Sequence, residues 1–312
     1  MSDGKGTSIL RGLDGANPLA YLAALGVLRV LTRAKAELRA KLAWCASEGA
    51  WRPRLRLVRA LSHQELAEAV FEACNACRCD QALALGDDLV VDPAAYRRFA
   101  VAAAEAALAD NPCHAEFAAS FACEVTVDDN GHVQDTAFRT MSGAGHQHFL
   151  KTMRNLVSAT QSQHIARALF ERWDYSDPVR NMSLRWDPAD DSRYALRWSD
   201  PSGDPDRQRI GSMWGANRLA IEALPLFPVM SAARQLETTG FRTAGSRGTF
   251  FTWPIWDADL GLDEVRSLLA LSDLQAEVPD RTCLLKRGVL EVFRAQRLTV
   301  GKFRNLARGT PV

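Results

Sequence analysis

A chain of 312 residues, 47 % hydrophobic and 24 % charged, is long enough to bury a sizeable core and too apolar to be disordered. Its 38 basic and 37 acidic residues leave a formal net charge of +1, which would argue against a nucleic-acid binder if the charges were mixed evenly, yet residues 281–312 carry eight basic side chains against Glu291 alone. No run reaches the roughly 18 to 20 apolar residues of a membrane span, and the opening MSDGKGTS has no hydrophobic secretory core, so a cytoplasmic protein with its seven cysteines mostly reduced is expected.

Residues 8–31 read as a short strand, a turn through Gly12, Asp14 and Gly15, and a helix capped by Asn17 with Pro18 at its first position. The helix is apolar nearly all round, which predicts burial. Residues 51–60 alternate Leu55 and Leu57 with Arg54, Arg56 and Arg59 as a half-exposed strand, and Ser62 with Glu65 starts a helix running toward Cys79. Asp92-Pro93 opens an alanine-rich helix that Asn111-Pro112 ends; residues 114–123 are helical and 124–133 form a hairpin turning at Asn130-Gly131. Residues 145–173 read as one long helix.

Beyond it the character changes. Candidate strands at 182–186 and 194–198, a short helix at 216–224, a basic hairpin, a helix at 262–271 and a basic tail follow. The fold class expected is α+β, a helix-rich portion over residues 1–175 packed with a β-richer portion over residues 176–312 as one compact unit.

Residues 234–256 interleave arginines and aromatics around a glycine-rich turn and hold one acid, Glu237. Guanidinium groups neutralise phosphates and aromatic faces stack on bases, so Arg242, Arg247, Phe250 and Trp253 are candidate nucleic-acid contacts, joined by Arg294, Arg297, Lys302 and Arg304 of the tail. The plainer alternative makes the aromatics the core of a hairpin with a solvated arginine tip. A second candidate, for phosphate, is the Gly-Ala-Gly turn MSGAGHQHFLKTMR, with Ser142, Gly143, Gly145, His146, Lys151 and Arg154. It fits neither the Walker nor the dinucleotide pattern, and its alternative is a tight turn with backbone-bonded histidines.

Asp128, Asp129 and Asp135 near His132 could be pressed into metal-dependent nuclease chemistry, but acids around an Asn-Gly turn are usually solvated. Cys74, Cys77 and Cys79 form a CxxCxC cluster that Cys45 or His63 could complete for zinc, whereas an unpaired CxxC ending an apolar helical pattern reads more simply as small thiols. No serine-hydrolase, zinc-protease or papain-like signature occurs, so no catalytic residue, metal or cofactor is assigned and a non-enzymatic protein is expected.

The segments LRGLDGANPLAYLAALGVLRVL, RWDPADDSRYALRWSDPS, GANRLAIEALPLFP, FTWPIW, LDEVRSLLAL and VFRAQRLTVGKFRN resemble a family of proteins associated with type I-G (formerly I-U) CRISPR systems. The opening is also similar to that of the large subunits of those effector complexes. The resemblance implies a subunit or accessory of a crRNA-guided antiviral complex, with crRNA, target DNA and other effector subunits or a helicase-nuclease as partners, in which base pairing supplies the sequence reading. The chain is short for such a large subunit, and the matching segments carry no catalytic motif. Two further readings stand beside this one: an adaptor docking partner subunits through Trp and Arg surfaces, and an enzyme acting through His146, His148 and the acids near Asp128.

Overall fold

The computed structural model describes residues 6–77, 79–109, 112–141, 148–178, 182–190, 211–300 and 303–312. Helix α1 (Pro18–Ala34) is its axis. Asn17 Oδ1 accepts from the Leu19 and Ala20 N–H groups at 2.9 and 3.4 Å, and every residue from Pro18 to Leu31 is buried. On one side α1 meets a three-stranded antiparallel sheet built from β1 (Gly6–Ile9), β2 (Lys41–Ser47) and β3 (Ala50–Leu57) in the order β1-β3-β2. On another it meets a helical layer of α2 (His63–Ala76), α3 (Asp80–Leu83), α4 (Pro93–Leu108), α5 (Pro112–Phe121), α6 (Phe149–Ala159), α7 (Ser162–Phe170) and α8 (Trp214–Ala223). Gly26 lets α8 approach until a Cβ there would lie 1.9 Å from the Leu219 carbonyl oxygen.

Two hairpins, β4 (Ala122–Val127) with β5 (Val133–Asp135) and β6 (Val229–Ala232) with β7 (Gln235–Thr238), are joined by Gln134, which donates to Arg234 O at 3.2 Å and accepts from Leu236 N–H at 2.9 Å. The C-terminal sheet runs β11 (Phe303–Leu306), β10 (Val289–Val300), β9 (Thr249–Trp256), β8 (Phe241–Thr243), with β12 (Thr310–Pro311) paired to β10. Helices α9 (Leu262–Leu269) and α10 (Arg281–Lys286) lie in the connection from β9 to β10. One continuous apolar cluster spans both portions of the chain, so the fold is α+β around a shared core. At its centre Tyr21 stacks on Trp44 at 5.4 Å and meets Trp253 at 5.6 Å, while Trp256 donates its indole N–H to Leu42 O at 2.9 Å.

Several expectations are corrected. Residues 145–173 do not form one helix: Thr160 and Gln161 are extended, and Gln161 donates its N–H to His164 Nδ1 at 2.9 Å, a side-chain cap that restarts the helix as α7. Residues 182–186 are not a strand. Their backbone is held mostly by side chains instead, Leu184 N–H by Asn217 Oδ1 at 3.0 Å, Leu184 O by the Thr140 hydroxyl at 2.6 Å and Met182 O by Ser212 at 3.1 Å, with one backbone bond from Leu306 N–H to Arg185 O at 3.1 Å. The alternation there reflects burial of Leu184 and Trp186 without ladder pairing. The helix expected to reach Cys79 ends at Ala76, and β2 was not anticipated. The candidate strand at 194–198 lies outside the described residues. Among those described, no helix is long and apolar enough to cross a membrane.

Candidate nucleic-acid interface

The pleat of the C-terminal sheet divides the basic residues into two groups, because register pairs place successive side chains on opposite faces. Arg242 lies opposite Phe250 and Arg294 opposite Thr252, which puts these four on one face; Trp253, Arg297 and Arg304 belong to the other.

On the first face three arginines converge on residues 272–277, the stretch after α9. Arg242 donates to Gln275 O at 3.2 Å and lies 3.7 Å from the Glu277 carboxylate, which Arg247 meets at 2.5 Å. Arg294 donates to the carbonyls of Leu274, Ala276 and Glu277 at 3.3, 2.7 and 2.8 Å, and its Nε to Thr252 Oγ1 at 3.0 Å. The hydrogen bond and charge of Arg247 hold the Glu277 carboxyl below the usual carboxylate range. Burial, then the neighbouring Arg242, lowers the Arg294 pKa. The turn at Gly245–Arg247 therefore carries a partly neutralised cluster whose donors fix the 272–277 stretch, and Arg294 has few donors left for a phosphate. Phe250 is half-buried there.

The second face is mostly core. Trp253 is 0 % exposed and donates its indole N–H to Gly15 O at 2.8 Å, so the stacking role anticipated for it is replaced by packing. Arg297 and Arg304 differ from every other arginine of the sheet. The pairs Arg297↔Leu306 and Thr299↔Arg304 set them diagonally adjacent on β10 and β11. Among the described residues neither guanidinium has a carboxylate or carbonyl partner, and Arg297 Nε is buried without a hydrogen bond. Burial lowers the Arg297 pKa to about 10 and Arg304 adds to the effect; the group remains charged at neutral pH. The nearest acid by its influence, Asp135, is taken by Arg139 at 2.5 Å, and Arg139 also reaches Asp88 at 3.2 Å. Three guanidiniums thus act on Asp135, which one of them, Arg139, already binds.

The proposed phosphate turn is only partly in view. Ser142, Gly143, Gly145, His146 and, in the tail, Lys302 lie outside the described residues. Arg154 is committed to Leu83 O at 2.6 Å, Gly86 O at 2.5 Å and the Asp87 carboxylate at 2.5 Å; the Lys151 ammonium lies 3.9 Å from the same carboxylate. These two side chains tie α6 to the 83–87 loop.

The acids do not converge for catalysis. Asp128 accepts the N–H groups of Asn130 and His132 at 2.9 Å each, which lowers its pKa, while Asp135 turns to Arg139. Cys74, Cys77 and Cys79 are buried in the core, where loss of water pushes the Cys74 and Cys77 thiols up to about 12. Among the described residues no group of three or more His, Cys, Asp or Glu side chains is placed to hold a metal ion. Arg139 was missed in the sequence; its i, i+4 spacing from Asp135 is a signal, though one common on any surface. No family model matches the chain, and neither a curated protein nor a solved structure matches it.

Proposed function

We propose that this protein is a non-enzymatic, nucleic-acid-contacting subunit or accessory of a type I CRISPR crRNA-guided complex. The observation that carries the nucleic-acid part is the Arg297–Arg304 pair, two adjacent guanidiniums, one half-buried, and the acid that acts on both, Asp135, is already bound by Arg139. A charge removed from water without a partner is costly, and proteins keep such groups where a ligand supplies the counter-charge. A backbone phosphate has the right charge and can take two planar donors side by side. The CRISPR part rests on the quoted sequence segments, which build α1, α8, β9, α9 and β10. For the Trp-anchored adaptor, Trp44, Trp186, Trp253 and Trp256 are buried and only Trp51, Trp173 and Trp214 among the described tryptophans reach the surface, each half-buried.

The test replaces Arg297 and Arg304 together with methionine and follows binding of labelled single-stranded DNA, duplex DNA and RNA, by the protein and by its assembled complex, as salt is raised. The variant should bind more weakly, with a salt slope reduced by about two phosphate contacts. It should also be as stable as the parent or more so, by about 1 kcal/mol, because a half-buried charge whose Nε lacks a hydrogen bond has been removed. An unchanged affinity and slope in the folded variant would refute the reading.

A further inference from the structure

The loop between β1 and α1 docks on the end of α7. Gly12 donates its N–H to Leu169 O at 2.9 Å, and a Cβ on Gly12 would lie 2.3 Å from Ala168 O. Between this loop, the residues after α7 and the stretch after β11 there is a cleft of about 650 Å³, a size typical of small-molecule sites. Arg11, Arg52, Arg172 and Arg308 line it opposite the carboxylates of Asp14, Glu48 and Asp187, with Trp173 beside them.

These side chains play different parts. Arg52 donates to Leu13 O at 3.0 Å and Arg308 reaches Asp14 at 3.2 Å, so both help to build the wall. Arg11 and Arg172 are exposed at the mouth and, among the described residues, their guanidiniums meet no acid or carbonyl. Trp173 is oriented by its indole N–H, which donates to Ala168 O at 3.0 Å, and Tyr175 stands at right angles to it at 6.1 Å. Tyr175 is held at a φ of 53°, a left-handed conformation that is strained for an aromatic residue. Glu48, exposed on the β2–β3 turn, adds a carboxylate acceptor.

We propose that this cleft binds a nucleotide unit, with its base stacked on Trp173, its phosphate between Arg11 and Arg172, and its sugar hydroxyls or base N–H groups directed to Glu48. A simple anion would leave the Trp173 face unused, and an apolar ligand would make no use of the two guanidiniums or the carboxylate. A nucleotide joins a planar π-face, an anion and hydrogen-bond donors in one molecule of suitable size. The unit belongs either to a free mononucleotide or to a strand. This site is separate from Arg297 and Arg304 and does not depend on them.

Intrinsic tryptophan fluorescence and calorimetry on the full-length protein, titrated with AMP, adenosine, inorganic phosphate and a short oligo(dA), test the assignment. AMP or oligo(dA) should bind and quench, with adenosine and phosphate weaker by roughly tenfold or more. Arg11→Ala and Arg172→Ala, both on exposed side chains, should each weaken binding by roughly tenfold. Trp173→Phe should keep binding and lose most of the quench. Preference for oligo(dA) assigns the site to a strand and preference for AMP to a free nucleotide, and both uphold it. The Arg297→Met/Arg304→Met double variant should bind AMP as the parent does. Absence of binding by both AMP and oligo(dA) at millimolar concentration, or binding indifferent to Arg11→Ala and Arg172→Ala, would overturn the proposal.

Discussion

His114 shows how one side chain couples this fold to pH. It sits on α5 with its ring edge-on to Phe99 at 4.8 Å, and its Nε2 is buried without a partner. Burial lowers its pKa from the ordinary 6.5, so the folded state favours the neutral imidazole. Its contribution to stability is therefore complete above 6.5 and is lost as the pH falls through the lowered value. The melting temperature should fall between about pH 7 and pH 5, a window in which few other side chains titrate. A His114→Leu variant should show a smaller fall over the same range. An identical fall in the variant would place the sensitivity elsewhere. The sequence identified His114 only as part of a helical pattern, because a histidine's environment depends on which ring is brought beside it.

At the scale of elements, the pairing of α1 with α8 was the least legible part of the fold, although both helices were anticipated. Each was readable locally: α1 from Asn17, Pro18 and an unbroken apolar run, α8 from its short periodic pattern. Their contact depends on side chains that sequence reading treats as surface groups. Arg29 is 0 % exposed, and Glu222, also 0 % exposed, accepts from Arg29 at 2.7 Å and from Arg218 at 2.6 Å. Arg29 also meets Glu116 at 2.7 Å, and Glu116 is reached by Arg33 and Arg266. Burial pushes the Glu116 carboxyl up, but these three arginines together hold it below the usual range. Glu222→Gln leaves two buried guanidiniums without their shared counter-charge, and should lower stability by about 3 kcal/mol in urea melts. A loss below about 0.5 kcal/mol would show that the helices are held by their apolar contacts alone. The break between α6 and α7 was invisible for a related reason: both helices are amphipathic, and a two-residue interruption leaves the apolar spacing readable as one helix.

For the whole molecule, composition and periodicity were enough to state the α+β class, while the candidate site was legible only as a list of charges. The segment 234–256 and the tail announced themselves by arginine content. The sequence could not show that Glu277, in the stretch after α9, would occupy the hairpin arginines, or that strand register would set Arg297 and Arg304 on one face near an Asp135 already bound by Arg139. The cleft was still less visible, being assembled from residues far apart in the chain. Asp14 meets Arg308 across a separation of 294 residues, Gly309 donates to Ala16 O at 2.9 Å, and a Cβ on Gly309 would lie 2.6 Å from the Trp253 ring. That closure bears on the order of folding. Joining segments so distant forfeits chain entropy before any contact compensates for it, so such contacts form late and slow the reaction. In refolding from urea, far-ultraviolet circular dichroism should recover first and AMP binding last, with a measurable lag between them. The loop ahead of α1 would then act as a clasp fastened at the end of folding, and a molecule stalled before that step would have most of its helices and no cleft.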